Sequence, residues 1–168
     1  MTNEQIKEAL SAKFPTLSEW ETPHDLLTFR ADAQGGLKVL QYLYDDDHLA
    51  FRFLTDITAV HFPGRTGEEL CVVYHLHSLE TNARLRMKLY VPEGRPDVYS
   101  ATSLFSGANW MERETYDFFG INFIGHPNLT RILNVDEMDY FPMRKQYPME
   151  DPTRTDKDDD MFGRGGSY

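Results

Sequence analysis

The sequence predicts an α+β fold in which helices cover one face of a mostly antiparallel sheet, with a long extended C-terminal tail. Two observations lead to this prediction. Apolar residues recur at helical spacing before and after the middle of the chain, and between Leu49 and Val91 they alternate with polar residues. Helices on both sides of a run of antiparallel strands are typical of α+β sandwiches.

The N-terminal part of the chain is predicted to contain one helix followed by two short extended segments. Apolar residues recur at helical spacing over residues 3–14, Thr2 or its neighbour can cap the first turn, and Pro15 ends the pattern. Residues 18–32 are predicted to form two short strands, or a strand and a turn, because Pro23 interrupts them.

A second helix is predicted to begin at Gly35 and Gly36 and to end at the three aspartates of residues 45–47. We expect its apolar face to cover the sheet that follows it in the chain. The residues of that face are Leu37, Leu40, Leu43 and Tyr44.

Three successive strands are predicted over residues 49–60, 70–79 and 83–91, where the period of the apolar residues changes to two. A tight turn at Thr81 and Asn82 joins the last two strands. The third strand separates an apolar face from a basic face. The apolar residues are Leu85, Met87, Leu89 and Val91, and the residues between them are Arg84, Arg86, Lys88 and Tyr90.

A further helical region is predicted to follow the Pro- and Gly-containing loop of residues 92–96. We expect this region to consist of two pieces split near Gly107. Asn109 and Glu112 have the spacing of a capping box, and Gly120 is placed to end the helix.

The C-terminal segment differs in composition from the rest of the chain. Residues 136–168 contain no Leu, Ile or Val, but they contain Met, Tyr and Phe residues separated by prolines and charged residues. Such a segment cannot bury enough apolar surface by itself to offset its ordering entropy. We therefore divide the chain into a scaffold domain, residues 1–135, and a tail that wraps a partner. The alternative is a tail folded back onto its own domain.

The composition restricts the chemistry of this chain of 168 residues. Its only cysteine, Cys71, excludes a disulfide framework and a set of thiolates for an iron–sulfur cluster, so we expect no cofactor in this chain. His75 and His77 lack an evident third metal ligand, which favours surface histidines. The formal net charge of −10 argues against nucleic-acid binding. No apolar run approaches the ~20 residues that span a bilayer, so we expect no direct membrane insertion.

Charged residues are concentrated in the segment ERETYDFFGINFIGHPNLTRIL, which begins at Glu112. Glu114, Asp117 and His126 could form an acid/base site. Alternatively, the charges pair locally, for example Glu112 or Glu114 with Arg131, and fix how a loop docks onto a neighbouring protein. The residue types alone leave both interpretations open.

The same segment resembles the signature ERExYDxFGIxFxGHPxLxRIL of the C subunit of respiratory complex I, the NADH:quinone oxidoreductase. In that complex the C subunit is a hydrophilic component of the peripheral arm. The match covers 22 contiguous residues. A second block of that family, PLRKDYP, corresponds to PMRKQYP here, with Met143 in place of Leu and Gln146 in place of Asp.

The resemblance implies a structural subunit without a redox centre, in a complex that moves electrons from NADH to quinone and translocates ions. It implies contacts with the D, B and I subunits of complex I, a tail laid over the quinone-site D subunit, and iron–sulfur clusters and FMN in partner subunits. We expect the chain to lie at the cytoplasmic face of the bacterial inner membrane, since no leader sequence is recognisable. The expected interface residues are Glu112, Arg113, Glu114, Asp117, His126, Pro127, Arg131, Met143, Arg144, Lys145, Tyr147, Met149, Met161 and Phe162.

Two alternatives to this assignment remain. The first is an equivalent scaffold subunit of a related membrane-bound hydrogenase or ferredoxin-linked dehydrogenase, because the electron donor would bind to another subunit. The second is a small independent enzyme that uses Glu114, Asp117 and His126 as an acid/base site.

Overall fold

The computed structural model describes residues 1–147 and has the α+β fold that the sequence predicts. Helices and strands account for most of this part of the chain. In chain order they are α1 (Asn3–Lys13), β1 (Ser18–Glu21), the 3₁₀-helix Pro23–Asp25, β2 (Leu27–Ala31), α2 (Gly36–Asp45), β3 (Phe53–His61), β4 (Leu70–Ser78), β5 (Ala83–Val91), β6 (Asp97–Tyr99), α3 (Ala108–Phe119) and β7 (Asn122–Ile124).

Five strands form the main sheet in the order β1-β2-β5-β4-β3. All neighbouring strands are antiparallel except β2 and β5, so the prediction of a mostly antiparallel sheet is confirmed. The parallel pair is possible because a helix and two strands intervene between β2 and β5 and return the chain to the same end of the sheet.

The strand register gives the main sheet one apolar face and one polar face. Leu85 lies opposite Leu76 of β4 and Leu27 of β2, and all three side chains are buried. The next residue along β5, Arg86, lies opposite His75 on the other face. Because successive side chains of a strand point to opposite faces, this register confirms the predicted alternation.

Helix α1 confirms the predicted N-terminal helix and shows how it begins. The Thr2 side chain accepts a hydrogen bond from the N–H of Gln5, and the Gln5 side chain accepts one from the N–H of Thr2. This capping box satisfies two backbone donors that a helix N-terminus otherwise leaves unpaired. Ile6 and Leu10 lie one turn apart on the buried face.

The buried face of α2 is centred differently from the prediction. Leu40 and Leu43 are buried as expected, together with Val39, which the prediction omitted. Leu37 and Tyr44 are only half-buried. The three buried residues are spaced at i, i+1 and i+4, which places them on one stripe of a helix, whereas Leu37 and Tyr44 both lie at one margin of it, beyond Leu40.

Helix α3 is a single helix, and two details of its prediction are wrong. The residues before Gly107 form turns rather than a first helical piece, and the capping box of Asn109 and Glu112 does not form. The reason is that Glu112 turns inward, where its carboxylate binds another part of the chain. The predicted end is confirmed, because Gly120 follows α3 with a left-handed φ of 76°.

Helix α3 packs against the edge of the main sheet and is flanked by a second, smaller sheet. The Thr115 hydroxyl is shared between the carbonyl of Met111 in its own helix, at 2.8 Å, and the carbonyl of Ile57 in β3, at 3.2 Å, so α3 covers the outer strand of the sheet. Strands β6 and β7 flank α3 in the chain and pair in parallel, which gives a second, two-stranded sheet. This small sheet was not predicted, because three-residue strands carry too little periodicity to be recognised.

Candidate partner-interface site

Asp117, near the end of α3, is the centre of a buried polar site. Its carboxylate is 0% exposed and accepts hydrogen bonds from the consecutive backbone N–H groups of Ile132, Leu133 and Asn134 at 3.1, 2.8 and 2.9 Å. Successive N–H groups that converge in this way form an anion-binding nest. The nest fixes the path of the loop that leaves the signature segment.

Arg131 pairs with Asp117 and binds two further backbone groups. Its Nη1 donates to the Asp117 carboxylate at 2.6 Å, and its side chain is only 9% exposed. Its Nη2 donates to the carbonyls of Met138 and Tyr140 at 2.7 and 3.0 Å. One guanidinium therefore joins the end of α3 to the segment that follows the signature, as its several donors allow.

The predicted pairing of Arg131 with Glu112 or Glu114 is wrong. Glu112 lies on the side of α3 that faces the chain interior, and Glu114 is exposed to solvent. Arg131 instead reaches Asp117, one turn before Gly120, where the chain reverses and comes back alongside the helix. Local charge pairing is therefore correct as a principle, but with a different partner.

The environment of Asp117 favours its ionised form. Burial opposes ionisation, but the hydrogen bonds from the backbone of Asn134 and Leu133 and from Arg131 outweigh it and hold the pKa of Asp117 well below its usual range. A carboxyl whose pKa is lowered by folding stabilises the folded state at pH values above its ordinary, unfolded pKa. This contribution is lost as the pH falls towards the pKa of the folded state.

Arg113 and His126 hold the same loop at two further points. Arg113 donates to the carbonyls of Thr130 and Arg131 at 3.1 and 2.9 Å, and not to Asp117 one turn away. His126 Nε2 lies 3.1 Å from the carbonyl of Asn109, which requires the tautomer with hydrogen on Nε2. Both side chains therefore hold the backbone of this loop in place.

Glu112 is fully buried and binds the loop before α3. Its two carboxylate oxygens accept hydrogen bonds from the hydroxyl of Ser100 at 2.7 Å and from the N–H of Ala101 at 2.6 Å. Within residues 1–147 no Lys or Arg forms an ion pair with it. Burial raises the pKa of Glu112 to about 7, and the two hydrogen bonds only partly offset this effect.

The first part of the predicted tail contacts the chain's own domain. The N–H of Met143 donates to the carbonyl of Phe118 at 3.1 Å. Arg144 donates to the carbonyl of Phe119 and to the carboxylate of Glu93, both at 2.8 Å. The alternative of a tail folded back onto its domain thus holds for this part of the tail.

Two further features fit this docked segment to the domain. The N–H of Lys145 donates to Nδ1 of the buried His61 at 2.9 Å. Gly120 leaves space for the segment, since a Cβ at this position would lie 2.5 Å from the Phe141 ring and 2.7 Å from the Arg144 guanidinium. Glycine is therefore required here both by its left-handed φ and by the close approach of these side chains.

Large apolar side chains project from this fixed backbone into solvent. Leu133 is 66% exposed, Val135 63% and Met143 52%, and Tyr140 and Tyr147 are also exposed. Five exposed large apolar residues within one short segment, of which Tyr140 and Tyr147 are in ring contact, are typical of an interaction surface. We call these five residues the apolar strip.

The remaining predicted interface residues are either exposed or outside the described part of the chain. Pro127 and Lys145 are exposed, as a contact with a neighbour requires. Met149, Met161 and Phe162 lie outside the described residues, so their role stays a prediction. Sequence reasoning missed Glu93 and His61, because they are remote in sequence from the segment that they bind.

The residues of the alternative acid/base site engage separate partners. Asp117 is occupied by the backbone nest and Arg131, and Glu114 is exposed on the helix surface. Both ring nitrogens of His126 bind backbone, since its Nδ1 accepts the N–H of Asn128 at 3.0 Å. A general base needs a free lone pair near its substrate, and this arrangement offers none on Asp117 or His126.

Comparison with known proteins identifies the family. The model of the family "Respiratory-chain NADH dehydrogenase, 30 Kd subunit" matches residues 29–153. The chain belongs to this family. The relationship predicted from the signature segment is thereby confirmed, and it extends well beyond that segment to most of the main sheet.

Members of this family with curated names include close relatives of the chain. The C subunit of NADH-quinone oxidoreductase from Citrifermentans bemidjiense is 47% identical over 118 residues, which cover 70% of this chain and 71% of that protein. The C subunit from a Nocardioides species is 45% identical over 123 residues, which cover 73% of this chain and 49% of that protein. The chain spans about half the length of several curated relatives that it matches.

Two solved structures superpose on most of this chain. A trypsin-resistant fragment of Nqo5 superposes with a TM-score of 0.66 at 31% identity, covering 77% of this chain and all of that one. A chain of an archaeal membrane-bound sulfane sulfur reductase superposes with a TM-score of 0.74 at 26% identity, covering 87% of this chain and 85% of that one. Among residues 1–147, no helix is long and apolar enough to cross a membrane.

Replacing Asp117 by Asn tests the buried site. We expect the free energy of unfolding to fall by about 3 to 5 kcal/mol, because Arg131 would remain buried without its counter-charge and an amide N–H₂ would face N–H donors. Urea denaturation of the purified chain measures this change. Asp139→Asn, at an exposed position, is the matched control. Equal stability of the two variants would contradict the claim that the Asp117 contacts stabilise the fold.

Replacing Glu112 by Gln tests its raised pKa. When a carboxyl has a higher pKa in the folded than in the unfolded state, the folded protein loses stability as the pH rises. For Glu112 this loss occurs between the ordinary pKa of a glutamate and about pH 7. Gln can accept from Ala101 and donate to Ser100, so we expect the variant to be more stable than the parent by about 2 kcal/mol at pH 8.

The same comparison at low pH provides the internal control. At pH 4 Glu112 is protonated in the folded protein and largely protonated in the unfolded chain, so the two proteins should unfold at similar temperatures. Glu114→Gln, at an exposed neighbour, should leave stability unchanged at both pH values. A Glu112→Gln effect of the same size at pH 4 and pH 8 would contradict the assignment.

Proposed function

We propose that this chain is a non-catalytic structural subunit in the peripheral arm of an NADH:quinone oxidoreductase. It would support electron transfer from NADH to quinone coupled to ion translocation. The observation that carries the proposal is the apolar strip, held on a backbone that buried ionic and hydrogen-bonded contacts fix. Membership of the family, and the chain's similarity to C subunits of NADH-quinone oxidoreductase, support this role.

The physical argument is one of preorganisation. A loop that becomes ordered only on binding loses part of its contact energy to the entropy of ordering. Here contacts within the chain itself order the segment, without a neighbour. They are the nest at Asp117 and the hydrogen bonds of Arg131 and Arg144. Exposed Leu, Val, Met and Tyr side chains can then bury apolar surface against a neighbour at little further entropic cost.

The neighbours that we propose are the D, B and I subunits of the complex. Residues beyond Tyr147, including Met149, Met161 and Phe162, would continue across the quinone-site D subunit. The iron–sulfur clusters would be held by partner subunits, because Cys71 is the only thiol of this chain and is buried. FMN would likewise be held by a partner subunit. The chain would lie at the cytoplasmic face of the bacterial inner membrane and associate with it through the complex.

A second candidate function is the equivalent scaffold role in a related respiratory membrane complex. The superposition on a chain of the sulfane sulfur reductase, with a TM-score of 0.74, favours it. In such assemblies the electron donor and acceptor could differ while this subunit keeps its fold. Mass spectrometry of the subunits that co-purify with a tagged chain would discriminate between the two candidates.

The interface is tested by replacing Leu133 and Met143 together by Ser. Both side chains are mostly exposed, so the chain should fold normally. Loss of buried apolar contacts at the centre of an interface costs on the order of 1 to 2 kcal/mol per residue, so we expect at least about ten-fold less chain in the detergent-extracted complex. The recovered complex is quantified by mass spectrometry.

Trp110→Ser is the matched control, because Trp110 is 58% exposed in the first turn of α3 and belongs to neither the apolar strip nor its hydrogen-bond partners. It should leave assembly unchanged. A charge reversal, Arg131→Glu, should also impair assembly, since it displaces the whole segment. A fully assembled complex that lacks only turnover in these variants would contradict a structural role.

A further inference from the structure

A cleft of about 570 Å³ lies at one end of the main sheet, beside the turn between β4 and β5. The segment that carries the apolar strip binds at the opposite end, through His61 and Glu93. The 3₁₀-helix and the first residue of β3 form the rim of the cleft. Its size is that of clefts that bind ligands or short peptide segments. None of the contacts described for the apolar strip involves the residues of this cleft.

Two guanidinium groups dominate the cleft. Arg84 and Arg86 lie opposite His77 and His75 on the polar face of the sheet. Arg86 Nε donates to His75 Nε2 at 2.8 Å. Within residues 1–147 neither the other N–H groups of Arg86 nor any of those of Arg84 make a side-chain hydrogen bond or an ion pair. Several strong donors thus face the cleft unused.

No acidic group of residues 1–147 forms an ion pair with these arginines; Glu21, which interacts with Arg86 at longer range, pairs with Lys88. Asp25 lines the cleft, but the side chain of Asn3 holds it, with Nδ2 at 3.4 Å from its carboxylate and 3.3 Å from its carbonyl. Asp56 lies 3.9 Å from Nδ1 of His75. Burial and the neighbouring Arg86 lower the pKa of His75, against the effect of Asp56, so its ring is neutral at pH 7 and can accept from Arg86.

The rim of the cleft is built from a strained backbone. His24 and Asp25 have φ values of 52° and 63°, two consecutive left-handed residues without a glycine. Such conformations are unfavourable for residues that carry a Cβ and persist where the surrounding structure fixes them, often at ligand sites. Pro23 and the contact with Asn3 fix them here.

The occupant follows from charge and from one apolar side chain. The chain has a net charge of −10, so a cleft with two unpaired guanidinium groups is a local inversion of its charge. Arginine forks match carboxylates in geometry as well as in charge. Phe53, about half exposed at the rim, adds an apolar contact of the kind that peptide side chains use.

The geometry points to this cleft as the docking site for an acidic peptide segment of a neighbouring subunit, whose Asp or Glu carboxylate accepts hydrogen bonds from Arg84 and Arg86. The inference rests on the proposed function, since it takes the neighbour from the same assembly. It adds a second contact surface, remote in the fold from the apolar strip.

Carbodiimide cross-linking of the assembled complex tests the inference. This reagent joins an amine to a carboxylate in direct contact, and guanidinium groups do not react. In the variant Arg84→Lys the charge is kept and an amine is introduced at position 84. We expect mass spectrometry to identify an amide between this position and an Asp or Glu of another subunit. Adding Arg86→Gln should reduce its yield several-fold.

Arg95→Lys is the matched control, because Arg95 is exposed outside the cleft and already pairs with Asp97 at 2.9 Å. Its new amine should couple within the chain. Cross-links from position 84 only to Asp25, only to the chain's own C-terminal residues, or to nothing would overturn the inference. If the tagged chain recovers no other subunit at all, the proposed function fails instead, so the two failures are distinguishable.

Discussion

The buried contact between Asp117 and Arg131 is the interaction on which the C-terminal part of the described chain depends. Removing two charges from water is costly, and the pair alone would not repay that cost. Three backbone N–H groups on the carboxylate and three backbone carbonyls on the guanidinium supply the missing hydrogen bonds. The same bonds fix the loop, so the stabilisation of the pair and the ordering of the loop are one effect.

Glu112 and Asp117 show how the environment gives acidic residues on one helix two roles. Both carboxylates are fully buried on α3, yet burial raises the pKa of Glu112 to about 7 whereas donors hold that of Asp117 below its usual range. Glu112 pairs with no cation of the described residues and secures the loop before the helix, and Asp117 secures the loop after it. The signature segment therefore encodes the docking of two loops on one helix.

Much of the fold could be predicted from the sequence, because period-two strands and capped helices are local patterns. The strands β3, β4 and β5, helix α1 and the end of α3 at Gly120 follow from such patterns. The partner of Arg131 did not, since residue types and spacing do not say which of several acids a returning loop meets. The contacts of Arg144 were equally hidden, because Glu93 lies 51 positions away in sequence.

Amide hydrogen exchange tests the central claim that this segment is ordered before it meets its neighbours. The full chain alone and the chain in the detergent-extracted complex would be compared. We expect slow exchange at Ile132, Leu133 and Asn134 in the chain alone, because Asp117 accepts their N–H groups. In the complex, residues 133–147 should gain further protection. Fast exchange at the three amides in the chain alone, or no gain in the complex, would contradict the claim.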